Sequence, residues 1–132
     1  MATERTIFMI DDDVEDQEMF SETLYSVDQS IKCIKSSDGR QALQTLLKES
    51  VLPDYIFLDL NMPMMNGYEF LKEIKKHEKL NQIPVIIYTT SSESKHKDEV
   101  LNLGAASFIT KPSDLSELKK LLHSLFFPVH HN

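Results

Sequence analysis

Five short apolar runs punctuate this chain of 132 residues, and each is followed by a longer stretch in which apolar side chains return at helical spacing. The runs are Thr6–Ile10, Ile31–Lys35, Tyr55–Asp59, Val85–Thr89 and Ser107–Thr110. They are short and rich in Ile, Val, Phe and Tyr, as strands covered on both faces are. The helical stripes are Met19, Phe20, Thr23, Leu24 and Val27; Ala42, Leu43, Leu46 and Leu47; and Phe70, Leu71 and Ile74. A fourth, mostly polar stretch from Glu93 to Leu103 carries Val100, Leu101 and Leu103, and the fifth carries Leu115, Leu118, Leu121, Leu122, Leu125 and Phe126. Gly104 is a good stop for the fourth helix, and Asp114 with Glu117 starts the fifth in the manner of a capping box. Parallel neighbours can be joined only by crossovers, so alternating βα units imply a parallel sheet with helices on both faces. The expected architecture is a doubly wound α/β three-layer sandwich of strand order 2-1-3-4-5, forming a single domain over residues 1–132.

In that order the topological switch falls between strands 1 and 3, and such sheets bind ligands beyond the carboxyl ends of their strands there. Asp11, Asp12 and Asp13 follow strand 1, and Asp59 ends strand 3. Carboxylates crowded into a partly desolvated crevice repel one another and lose hydration, a cost that a hard divalent cation with oxygen ligands offsets. Thr89 and Thr90 close strand 4, and Lys111, followed by Pro112, closes strand 5. Together these groups suit phosphoryl chemistry. Carboxylates hold Mg²⁺, one carboxylate attacks phosphorus, and the lysine and hydroxyl take the remaining phosphoryl oxygens. Singly, each residue has a plainer role: Asp13 as a helix cap, Thr89 as a turn residue, Lys111 as a solvated cation, Gly67 as the start of the third helix. Their joint placement at the carboxyl ends of one sheet favours the chemistry.

Composition removes other classes. Net charge is −7, from 14 basic and 21 acidic residues, which argues against nucleic acid as a direct partner. No apolar run approaches the ~20 residues of a membrane span, and Met1-Ala2-Thr3-Glu4-Arg5 leads straight into a strand without a signal-peptide pattern. The single cysteine, Cys33, forms no internal disulfide, fits a reducing cytoplasm, and reads as a half-buried strand thiol. The five histidines show no metal-ligand spacing with the aspartates. His123 is expected to be solvated, with a phosphotransfer histidine as the sharper alternative, and His130 and His131 form a tail.

The motifs Ile10-Asp11-Asp12, Leu58-Asp59-Leu60-Asn61-Met62-Pro63 with Asn66-Gly67, Thr89 at its strand end, and Phe108-Ile109-Thr110-Lys111-Pro112 occur in the order and spacing of a known family. Across essentially its whole length the chain resembles the receiver domains of two-component response regulators, of the stand-alone, chemotaxis-regulator-like kind. The resemblance implies a flavodoxin-like (βα)5 fold and a cytoplasmic phosphorelay role. Asp59 would be the phosphoacceptor, loaded by a histidine kinase or a histidine phosphotransfer protein. Asp12 would ligate Mg²⁺ directly and Asp11 mainly through water, with Asp59 and the backbone carbonyl of Asn61 completing the set. Asp13 is next in line should the register of the three aspartates shift. Lys111 would contact the phosphoryl group, Thr89 would move to bond it, and Phe108 would turn inward as the switch aromatic. Lacking a hydroxyl, Phe108 would switch by packing alone. The resemblance also implies a cis Lys111–Pro112 bond. Thr90 stands where a smaller residue is frequent and would narrow access to the phosphoryl group. Thr89-Thr90-Ser91-Ser92, with the acidic Asp13, Glu15 and Asp16, is most like stand-alone receivers near bacterial phytochromes and hybrid kinases.

After Phe127 only Pro128-Val129-His130-His131-Asn132 remain, too few for an output domain, so signalling is expected to run through a downstream protein target. The apolar residues of the last helix, with Phe127, are enough for a homodimer as well as one buried stripe. The chief alternative is a small Mg²⁺-dependent phosphohydrolase working through an aspartyl-phosphate. Such enzymes place a second acid two residues after the nucleophile; Asn61 stands there and leaves no general acid or base. A flavin binder would need a loop of backbone donors after strand 1, where Asp11-Asp12-Asp13 would repel a phosphate. A docking block that is never phosphorylated would not need the complete residue set.

Overall fold

The computed structural model describes residues 5–48, 52–90 and 94–127. Five strands, β1 (Thr6–Ile10), β2 (Lys32–Ser36), β3 (Tyr55–Leu58), β4 (Val85–Thr89) and β5 (Ser107–Thr110), form one parallel sheet of order β2-β1-β3-β4-β5. The helices α1 (Val14–Val27), α2 (Gly39–Lys48), α3 (Gly67–Lys75), α4 (Ser94–Asn102) and α5 (Leu115–Phe126) alternate with them. The expected doubly wound sheet and its strand order are what the chain adopts.

Alternation along the strands divides the interior in two. Phe8, Ile10, Ile56, Leu58, Val85 and Ile87 face α2, α3 and α4, where they pack with Leu46, Phe70, Leu71, Ile74 and Val100. Ile7, Met9, Phe57, Ile86 and Tyr88 face α1 and α5 and meet Phe20, Leu24, Leu118, Leu122 and Phe126. On that second face the rings of Phe20, Phe57 and Tyr88 lie 4.8 to 5.9 Å apart in tilted and edge-on pairs. Each such fully buried side chain contributes about 1.5–3 kcal/mol of transfer free energy. The strands are therefore fixed from both sides, and their carboxyl ends form a rigid edge.

The differences from the sequence expectation have local causes. The second strand starts one residue late, at Lys32, because the amide of Ile31 turns back to the carbonyl of Asp28 while that of Lys32 bonds Arg5. Met19, Leu47 and Leu101 belong to their helical stripes but lie at the edge of each buried face and are exposed. In α5, Leu118, Leu122 and Phe126 are core, whereas Leu115 and Phe127 are exposed, leaving two apolar side chains rather than five for any partner. The Lys111–Pro112 bond is trans, correcting the cis expectation; trans is the lower-energy form of such a bond by about 0.5–1 kcal/mol. Cys33 is half-buried, and burial pushes its thiol up to about 11, as befits a packing residue. Gly104, at φ +103°, ends the α4 segment in the conformation that glycine tolerates best. The His123 side chain is exposed on α5 with its ring 5.2 Å from that of Phe127. His130 and His131 lie outside the described residues.

The start of α3 is the tightest junction near the sheet edge. A Cβ on Gly67 would lie 2.6 Å from the carbonyl oxygen of Asp59 and 2.7 Å from the Cα of Leu60, both backbone atoms that cannot rotate away. Gly67→Ala is expected to lower stability by about 1–3 kcal/mol. Urea unfolding measures this, and an unchanged midpoint with an unchanged slope would show that the junction yields freely.

Candidate functional site

The carboxyl edge of the sheet gathers the residues singled out in the sequence. The ladder runs one residue past β1 and β3: the amide of Asp11 bonds the carbonyl of Ser36, and that of Asp59 bonds the carbonyl of Ile10, each at 3.0 Å. Both carboxylates are thus anchored by backbone, and both are buried. Asp12 is exposed beside them. Oxygen atoms from Asp11, Asp12 and Asp59 lie within 4.8 Å of one another. An all-oxygen set of this kind suits a hard divalent cation such as Mg²⁺ or Mn²⁺. The side chains present therefore fit the metal that the sequence implies.

Lys111 reaches the same point from the end of β5, where its amide bonds the carbonyl of Thr89 at 2.7 Å. Its Nζ donates to Asp11 Oδ2 at 2.7 Å and to Asp16 Oδ2 at 2.7 Å, and stands 3.7 Å from Asp59 Oδ2. It also lies 5.7 Å from the centre of the Tyr88 ring, within cation–π range. Burial alone would disfavour the ammonium, but the bonds to Asp11 and Asp16 outweigh it and hold the Lys111 pKa above the ordinary lysine value. Burial pushes the Asp11 carboxyl up to about 6, although Lys111 and the amide of Asp13 both work against the shift. The Tyr88 phenol is likewise pushed up to about 12 by burial.

Neighbouring loops complete the pocket. Asp13 caps α1, its side chain accepting from the amide of Asp16 at 3.2 Å, which is the plainer role considered for it. The amide of Asn61 donates to Asp59 Oδ1 at 3.3 Å. The loop then turns through Met64, at φ +68°, and its end is fixed by a reciprocal capping box between Asn66 and Glu69. Thr89 is fully buried at the end of β4, whereas Thr90 is exposed. Phe108 is half-buried in β5, against the core that packs on α2, α3 and α4.

Three contributors escaped the sequence reading. Asp16 gives Lys111 one of its two short bonds. Gln17 is buried, and its carboxamide donates to the carbonyls of Asp11 and Ser36, tying the ends of β1 and β2 together. Gln17 shares a helical column with Phe20 and Leu24, so a polar residue on the core face was the available signal. Asp16 had no such signal, because its partner comes from the other end of the chain. Asn66, beyond its place in the Asn66-Gly67 motif, caps α3, and the Asn-x-x-Glu spacing was the available signal.

Residues 7–123 match the family model described as response regulator receiver domain. Among curated relatives, the two-component response regulator ORR5 of Oryza sativa subsp. japonica is 32% identical over 115 residues, which are 87% of this chain and 84% of that protein. The chain spans only 21%, 45% and 48% of the length of other relatives that it matches. Among solved structures, the phosphorylated cyanobacterial phytochrome response regulator RcpA superposes with a TM-score of 0.84 at 30% identity, covering 93% of this chain and 91% of RcpA. The Mn²⁺-bound form of response regulator Rcp1 gives 0.82 at 28% identity, covering 96% and 97%.

The raised Asp11 pKa has a consequence for stability. In the folded chain the group holds a proton up to about pH 6, against 3.8 for the ordinary carboxylate. The folded state therefore binds more protons between these values, and its stability falls as pH rises through that window. Asp11→Asn removes this dependence. With metal chelated, the variant is expected to exceed the parent in unfolding free energy by on the order of 3 kcal/mol above pH 6, with the gap closing by about pH 4. Urea unfolding across that range checks it, and a constant gap would assign the difference to packing instead.

Proposed function

The chain belongs to the response regulator receiver family, and from that premise we propose that it is a phosphoacceptor in a two-component relay, with Asp59 as the residue modified. The observation that carries the proposal is the meeting of Asp11, Asp12 and Asp59 within 4.8 Å, with the Lys111 ammonium beside them. A carboxylate nucleophile, acidic groups able to hold a divalent cation, and a cation to receive phosphoryl oxygens are what transfer to an aspartate requires.

In this proposal Asp12, Asp59 and the backbone carbonyl of Asn61 would hold Mg²⁺, with Asp11 acting mainly through water, and the ion would neutralise charge on the transferring group. The Asp59 carboxylate attacks the phosphorus of a phosphohistidine on a kinase or phosphotransfer partner. The new bond joins oxygen to phosphorus, the nitrogen–phosphorus bond breaks, and the electron pair returns to the partner's imidazole. The product carries about −2 charge, which Lys111 and the Thr89 hydroxyl help to balance. Thr89 closes β4 opposite Thr110 of β5, two residues from Phe108. Movement of Thr89 toward the phosphoryl group would therefore change the packing of β5 and of Phe108, biasing a two-state surface read by a downstream protein. Asn61, two residues after Asp59, has no titratable group to act as general acid or base, so rapid turnover of external phosphate esters is not expected. The proposed relay is a cytoplasmic one. Among the described residues no helix is long and apolar enough to cross a membrane.

Incubation with acetyl phosphate and Mg²⁺ is expected to add one phosphoryl group, read by intact-mass spectrometry. Asp59→Asn abolishes the addition, and chelation of the metal does the same to the unaltered chain. Undiminished labelling of Asp59→Asn would refute the assignment.

A further inference from the structure

We infer that Asp16 is a positioning residue that competes with the incoming phosphoryl group for Lys111, and so sets how readily the pocket accepts one. This rests on the proposal that Asp59 is the phosphoacceptor.

Lys111 has three hydrogens to donate. Two are committed at 2.7 Å, one to Asp11 and one to Asp16, while Asp59 stands at 3.7 Å, beyond a good hydrogen bond. The third hydrogen is left for an oxygen of a group carried on Asp59, but to bring it within bonding distance the ammonium must shift toward Asp59, and that shift draws it away from its present partners. The surroundings of the two carboxylates decide which one it leaves. The Asp11 side chain is fully buried, and leaving it without its counter-charge would strand an ion in a dry site. The Asp16 side chain is 32% exposed and can exchange the lysine for water at small cost. Asp11 also belongs to the acidic triplet able to hold a cation, and Asp16 does not. Asp16 is thus the partner that lets go.

Its position is built by the local fold. Asp13 caps α1 and accepts from the Asp16 amide at 3.2 Å, which fixes the first helical turn over the end of β1. From there the Asp16 carboxylate meets a lysine 95 residues later in the chain. The confined setting of the lysine, its side chain 10% exposed and its ammonium over the Tyr88 ring, gives it few other places to go. The contact holds Lys111 in a resting position and charges the pocket mouth against an anion.

Beryllofluoride, a phosphoryl mimic, tests this by calorimetric titration in saturating Mg²⁺. Asp16→Asn is expected to bind it about 2- to 5-fold tighter than the parent, the range for freeing one partly exposed ion pair. Asp16→Ser is expected to do the same. Glu15→Gln removes an equal charge from the same helical turn, at a residue whose side chain is exposed, and is expected to leave the affinity unchanged. A structural defect would weaken binding, so a gain cannot arise from damage. Unchanged or weaker binding in both Asp16 variants, or an equal gain in Glu15→Gln, would overturn the inference. A parent chain that binds no beryllofluoride would instead sink the phosphoacceptor proposal, and this inference with it.

Discussion

A buried carboxylate at the end of the first strand, met by an ammonium from the end of the last, is the interaction on which the rest of the site depends. Asp11 and Lys111 are 100 residues apart in sequence and 2.7 Å apart in space. Without the lysine, Asp11 would be an uncompensated charge in a fully buried position, a situation that costs several kcal/mol. With it, compensation is still incomplete, since burial keeps the Asp11 pKa near 6. The pocket is therefore held together by one cation while retaining enough negative charge to welcome a second. The proposed occupation by a divalent ion and then a phosphoryl group would draw on that combination, since the first adds positive charge and the second negative charge to the same pocket.

The sheet can provide such a site because its two faces are independently packed. One core holds the strands against α1 and α5, the other against α2, α3 and α4. Asp11 and Asp59 inherit this rigidity through backbone bonds that extend the ladder past the last strand residue. Gln17 adds a cross-brace between β1 and β2, and Gly67 lets α3 begin in contact with the backbone of Asp59. Beside them stand a buried threonine at the end of β4, a half-buried phenylalanine in β5, and a lysine shared between carboxylates of unequal exposure. In the proposed function these are the groups that would respond to a new charge, while Asp11 and Asp59 would stay in place.

Much of this was legible in the chain before folding was considered. Parallel βα order follows from alternating periods, and parallel order puts every strand's carboxyl end on one edge, so Asp11, Asp59, Thr89 and Lys111 could be placed together without coordinates. Asp13 was readable as a cap because capping is a contact between residues three apart. What could not be read were contacts whose partners lie far apart and whose residue types are common on any surface. Asp16 on an acidic first turn looks solvated until β5 brings Lys111 to it. Met19, Leu47 and Leu115 fit their stripes equally well, yet the width of each buried face leaves them outside.

By itself, then, the amino-acid sequence determined the order of strands and helices, the two-sided core, and the identity of the acids and the lysine at the carboxyl edge. These depend on local periodicity and on the chirality and short connections that restrict how βα units can join. Only the tertiary structure decided how the lysine divides its bonds, with Asp11 and Asp16 held closely and Asp59 left at a distance. The physical reason is that an ion pair's partner is set by relative burial and by the last few ångströms of separation. Those quantities arise only when both faces of the sheet have closed.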